Sequence, residues 1–319
     1  MARLTLAAVL VAATAAVMVG SPATAKTKPR PKVHPPAWTL RGHGGFAFGF
    51  GSAWIAGGGT VLRVNPRTNR VTATITNAGT WPIARPDGIW TIENLALDRI
   101  DPARNKVVLR IRLSSSGSLA YGFGSFWVAT GDGSVLRVDP VARKVVATIP
   151  VQHTPNWSPQ IAAGEGAVWV ASADKHEVAK IDPATNTIAS STPVGGQVDS
   201  LLTVAAAYGS VWAHENAAAQ GRGLLYRIDP ATGKLISTLT TSKASGGGYG
   251  GTNIALGAGS IWTSNGNGTV SRVAADGRKV SSAVQTPFLA EFIAVGLGSV
   301  WVQSDSGQTA RIPLARFPD

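Results

Sequence analysis

The sequence predicts an all-β chain folded as a seven-bladed β-propeller of four-stranded blades. Three observations carry that expectation. A unit built around Gly-x-Gly-Ser, an apolar residue and a tryptophan recurs, with its tryptophan at Trp54, Trp90, Trp127, Trp169, Trp212, Trp262 and Trp301. Successive tryptophans lie 36, 37, 42, 43, 50 and 39 residues apart, the spacing of propeller blades. Between turn residues the apolar runs are short and β-branched, and no stretch shows a helical period.

Each element of the unit can be read in order from "GSFWVATGDGSVLRVDPVARKVVATI", Gly124 to Ile149. The preceding "LAYG" is a first strand, and Gly124-Ser125 closes a hairpin into "FWVAT". Gly131-Asp132-Gly133 turns the chain into "SVLRVD"; Asp139-Pro140 then opens a turn whose first central dihedral Pro presets, leading into "KVVATI". One such unit cannot bury both faces, whereas ring neighbours cover one another and closure protects the strand edges.

Closure follows from the two ends. The last unit, "GSVWVQSDSGQTARIPLARFPD", stops before any fourth strand, while "AWTLRG", residues 37–42, is a spare strand ahead of the first unit. We expect this N-terminal strand to complete the seventh blade as its outermost member; six blades with an irregular tail is the alternative.

Residues 1–25 read as a signal peptide, with Arg3, an apolar stretch from Leu4 to Gly20, and Ala23-Thr24-Ala25 as a small-x-small cleavage pattern. The stretch is Ala-rich, ends in Gly20 and Pro22, and is shorter than the roughly 20 apolar residues a membrane anchor needs. Residues 26–37, "KTKPRPKVHPPA", read as a basic, Pro-rich tether, and residues 38–319 as the propeller. The chain has no Cys, which leaves neither a lipoprotein anchor site nor a disulfide framework, so core burial must hold the domain together. A secreted or cell-envelope-associated monomer without a transmembrane segment after cleavage is the expectation.

The pattern "VLRVDP…KVVATI" resembles the YVTN-type propeller repeats. "RPDGIWTIENLALDRIDP", Arg85 to Pro102, is similar to the repeat of the virginiamycin B lyase-like propellers, with an Asp-Gly turn ahead of a tryptophan strand and a glutamate. That resemblance covers nearly all of residues 38–312. It implies the propeller fold, and from the lyase it implies a magnesium-assisted elimination that opens a lactone, using one histidine and a Glu-x-His pair. Glu93 and Glu215 align with the repeat glutamate. No Glu-x-His occurs in this chain, and His214 stands before its Glu, so the chain departs from the lyase pattern.

The formal charge is +12, of which Arg3 and the four tether cations contribute five, leaving +7 on the repeats. The third strand carries a cation at one fixed place in every blade: Arg63, Arg99, Arg137, Lys180, Arg227, Arg272 and Arg311. Spread by symmetry round a ring, these form no concentrated stripe, and no base-reading motif accompanies them, so a nucleic-acid partner is not expected. The repeat tryptophans are expected to pack between blades. "GGGYGG", residues 246–251, fits a dinucleotide fingerprint in letters only, because blade strands rather than a helix follow it.

Candidate site residues come from three places. The position three after each repeat tryptophan holds Gly57, Glu93, Thr130, Ser172, Glu215, Asn265 and Ser304, and ring symmetry predicts a shared polar rim. Blade 5 adds His214, Glu215 and Asn216, where a His beside a Glu can act as a general base or hold magnesium or calcium. Inter-blade connections supply His153, Trp157, Asp199 and Glu291 as ligand contacts. Two functions follow. The first is an exported propeller that binds a cell-envelope polymer, a protein or a small molecule through one face. The second is a metal-dependent lyase or hydrolase with His214, Glu215 and Glu93 as catalytic residues.

Overall fold

The computed structural model describes residues 40, 44–151, 159–195, 202–217, 222–243 and 254–317. These residues form seven antiparallel sheets around a ring, spanning 44–76, 80–112, 117–150, 160–193, 202–243, 254–285 and 292–313. We number them blades 1 to 7. In each blade the strands lie in sequence order from the inside outward. The inner strand of every blade meets those of both neighbours, and Gly44–Gly49 of blade 1 meets Phe292–Gly296 of blade 7, which closes the ring. Blade 3 has the predicted strands, Gly117–Gly122, Ser125–Thr130, Ser134–Asp139 and Lys144–Pro150.

Six blades have four described strands and blade 7 has three. Leu40 bears on the missing one. Its N–H donates to the Gly307 carbonyl at 3.0 Å. Ala78, Leu113, Val151, Val194 and Thr286, each at most two residues past an outer strand, make the corresponding bond to the second hairpin of their own blade. Leu40 therefore occupies in blade 7 the place that these five residues take in their own blades. The other residues of the predicted strand, 37–39 and 41–42, lie outside the described residues. Gln303 adds to the closure, accepting from the Gly45 N–H at 3.2 Å and donating to the Ala56 carbonyl at 3.2 Å.

The seams between blades form the core. All seven repeat tryptophans are at most 1 % exposed, as packing residues should be. Six of them donate their indole N–H to the carbonyl five residues earlier, at the end of their own inner strand. The third-strand cation lies over the tryptophan ring in every blade, 5.0 to 6.0 Å from its centroid. In five blades it also reaches into the next one. Arg63 donates to the Pro102 carbonyl, Arg137 to Pro183, Lys180 to Pro230, Arg227 to Asp276, and Arg311 across the closure to Pro66.

In blades 1 to 5 a bulge falls in the outer strand pair immediately after this cation, which adds local twist there. Blade 2 departs from the pattern because Pro86-Asp87 replaces the usual turn. There Asp87 accepts from the Trp90 indole and lies within ion-pair reach of Arg85 and Arg99.

Among the described residues no helix is long and apolar enough to cross a membrane.

Candidate functional site

The second strand ends at or within two residues of the predicted rim position in every blade, yet the polar side chains there are turned into the protein. Thr130, Ser172, Glu215, Asn265 and Ser304 are buried, and Glu93 is half-buried. Three of them close their own hairpins. The Thr130 hydroxyl donates to Asp132 Oδ1 or the Ser134 carbonyl, Asn265 Nδ2 donates to Thr269 Oγ1 and Ser271 Oγ, and Ser304 Oγ accepts from the Gln308 N–H. At these three positions a short polar side chain satisfies backbone and hydroxyl groups of its own hairpin, which explains it without a ligand. The buried Ser172 Oγ, by contrast, has no hydrogen-bond partner among the described residues.

His214 and Glu215 are successive residues of strand Ser210–Ala217, so their side chains leave opposite faces of blade 5. His214 is fully buried on the same strand face as Trp212, with Nε2 3.2 Å from the Thr241 hydroxyl on the outer strand. Gly223 leaves room for this pair, since a Cβ there would come within 2.6 Å of Thr241 Oγ1 and 3.3 Å of His214 Nε2. Glu215 is 1 % exposed on the opposite face, where the Tyr226 hydroxyl donates to Oε2 at 2.5 Å. Its carboxylate covers Gly195 at the end of blade 4. The two residues therefore serve different seams, blade 5 against 6 and blade 4 against 5.

Glu93 occupies the equivalent place in blade 2, at a two-residue hairpin whose Asn94 and Leu95 both take positive φ. It faces Gly59 of blade 1. Burial raises its pKa above the usual carboxylate value and the nearby Asp98 charge adds to this, while Arg110 opposes them. Asp98, 1 % exposed, receives two hydrogen bonds from Arg110, Nε to Oδ1 at 2.7 Å and Nη2 to Oδ2 at 2.6 Å, and this partner holds the Arg110 proton more firmly. Arg110 also donates to the Asn77 carbonyl of the segment leaving blade 1. Beside it the outer strands of blades 1 and 2 border an open groove of 680 Å³, lined by Thr74, Thr76, Asn105, Lys106 and Val108 among others. Sequence reasoning missed the Asp98–Arg110 pair. Asp98 is the one carboxylate at a third-strand position that holds Leu, Ala, Tyr or Ser in the other blades, and that was the available signal.

Glu291 lies half-buried in the connection into blade 7, where its N–H donates to the Gln303 carbonyl at 2.8 Å. Asn216 is placed on its strand opposite Gly223. His153, Trp157, Asp199 and residues 246–251 lie outside the described residues. Among the described residues no three His, Cys, Asp or Glu side chains come together in a way that holds a metal ion.

Residues 158–289, blades 4 to 6, match the DUF6923 model, a repeat of unknown function. Chains of the same architecture are found among solved structures. One is Kuenenia stuttgartiensis hydrazine synthase, with a TM-score of 0.68 at 14 % identity over 91 % of this chain and 98 % of that one. Another is BamB from Moraxella catarrhalis, with a TM-score of 0.58 at 14 % identity over 86 % of this chain and 85 % of that one. At that identity the likeness is one of fold. No curated protein sequence matches the chain. It is a β-propeller repeat protein.

Proposed function

We propose that this is an exported propeller whose role is binding, carried out through the surfaces of the ring. The observation that supports this reading is the separation of His214 from Glu215. A general base and its partner must reach one reacting atom, and a metal site needs several donors around one point. Here a buried imidazole faces one seam and a buried carboxylate the other, each held by a protein hydroxyl. Glu93 belongs to blade 2, three blades away. This arrangement favours binding over the metal-dependent lyase or hydrolase that the virginiamycin B lyase-like resemblance implies. The YVTN-type repeat pattern supports the same reading, as does the protein-interaction role that propellers of this architecture suit. Export rests on the reading of residues 1–25 as a signal peptide.

Thermal unfolding after chelation, and again with millimolar magnesium or calcium restored, tests the choice. A ligand bound only by the folded state raises the midpoint by mass action. We expect no shift. An upward shift that His214→Gln and Glu215→Gln abolish would establish the metal enzyme instead.

A further inference from the structure

The hairpin joining the two inner strands is a two-residue turn with positive φ at both residues in six blades. Such a turn favours Asn, Asp or Gly at its first residue. This chain instead places Phe50 (φ 54°), Phe123 (φ 53°), Tyr208 (φ 59°) and Leu297 (φ 53°) there, in a region where bulky side chains are outliers. They are 42, 43, 39 and 38 % exposed, and a Cβ built on the glycine that follows each would meet nothing within 4 Å. Strain kept at four symmetry-related turns, with the side chains presented to solvent, points to a function for the tips.

All four tips share one end of the ring, together with the turns between third and fourth strands. Arg63 shows this directly, donating both to the Phe50 carbonyl and to the Pro102 carbonyl of the next blade. Arg311 likewise bridges Leu297 and Pro66. Those outer turns are basic and exposed over three consecutive blades, with Arg67 and Arg70, Arg104 and Lys106, and Arg143 and Lys144. Between the last pair and Asp139 stands Val141, 88 % exposed. The aspartates of these turns are bound locally. Asp139 accepts from the Val141 and Ala142 N–H groups, and Asp101 from the Ala103 N–H and the Arg104 guanidinium. The opposite end is less basic, its second hairpins carrying Asp132, Asp174, Glu177 and Asp305 against Lys175.

We propose that the end of the ring bearing Phe50, Phe123, Tyr208 and Leu297 docks on an anionic lipid bilayer. The apolar tips enter the headgroup region, and the surrounding arginines and lysines pair with lipid phosphates. Cations alone fit any polyanion. Apolar tips on one end gain free energy only where an apolar phase receives them, and a ring of tips suits an extended surface. This inference rests on the binding role above and names its face and its partner.

The test is co-sedimentation of the full chain with vesicles of phosphatidylcholine, and with vesicles containing a quarter phosphatidylglycerol, alongside binding to polyglutamate in solution. Variant one replaces all four tips with Asn, which suits the turn and leaves the fold intact. Variant two carries R67E, R70E, K106E, R143E and K144E. Because both keep the N-terminal apolar stretch, differences report the ring alone. We expect the parent to prefer anionic vesicles, variant one to lose at least tenfold in vesicle affinity, and variant two to lose the preference for anionic lipid. Equal vesicle binding by parent and both variants would overturn the proposal. Polyglutamate binding without vesicle preference would also overturn it, while leaving the binding role standing. Failure of the binding role itself would show instead in the metal-dependent unfolding shift.

Discussion

Glu93 and Glu215 stand at the same position of the repeat, three residues after the tryptophan of blades 2 and 5, and their surroundings treat them oppositely. Around Glu215 the hairpin is long, and Tyr226, on the strand that the longer hairpin extends, supplies a hydroxyl 2.5 Å from the carboxylate. Around Glu93 the hairpin is two residues and the side chain stays half-buried, and this burial, with the nearby Asp98 charge adding to it, raises its pKa. A repeat position thus fixes where a side chain starts and which seam it enters. The stability it contributes depends on whether the adjacent strand of its own blade offers a donor.

The comparison can be broken most forcefully at Glu215. Replacing it with Ala leaves the buried Tyr226 hydroxyl without its acceptor and opens a void in the seam, a loss of about 3 kcal/mol. Denaturant unfolding should show this as a lowered midpoint. Tyr226→Phe should cost less, and the double variant should cost less than the sum of the two, since both remove one bond.

Two glycines sharpen the contrast at the next level. Gly195 has φ 75°, and a Cβ there would stand 2.6 Å from Glu215 Oε2; Gly59 has φ 74°, and its Cβ would stand 3.4 Å from Glu93 Oε1. Both Gly→Ala changes incur the left-handed backbone penalty of about 1 kcal/mol. Gly195→Ala must also displace a carboxylate that Tyr226 holds, so its unfolding midpoint should fall further than that of Gly59→Ala. Equal effects would mean that Glu215 moves as freely as Glu93.

The smallest expected effect is at Glu93, and its sign is opposite. A carboxyl whose folded pKa is raised is harder to ionise in the native state, so native stability declines as pH rises from the unfolded value through the folded one. Glu93→Gln removes that penalty. The variant should unfold at a higher temperature than the parent at pH 7.5, and the difference should vanish below about pH 4, where both states hold the proton. A gain that persists in acid would assign the effect to packing instead.

Most of the fold is legible in the repeat. Seven tryptophans, one cation per third strand and an Asp-Pro or similar turn per blade report the same local geometry seven times, and those signals reinforce one another. The candidate site was legible only as residue types. His214 and Glu215 look like a pair because they are adjacent in the chain, yet a strand sends neighbours to opposite faces, and both faces of a blade are buried. The shared polar rim failed for a related reason. Thr130, Asn265 and Ser304 find closer partners in their own hairpins than any ligand would offer. Asp98 escaped notice because its partner Arg110 lies on the next strand, where only the register brings the two together.

The sequence by itself determined the blade count, the strand order within a blade, the tryptophan core and the expectation of closure through the N-terminus, because each follows from local periodicity repeated around a ring. Only the tertiary structure decided which end of the ring each charged or aromatic turn occupies and which partner each polar side chain meets. Those depend on how neighbouring blades are set against one another, and Arg63 reaching Phe50 and Pro102 at once is a relation between blades that no single repeat contains.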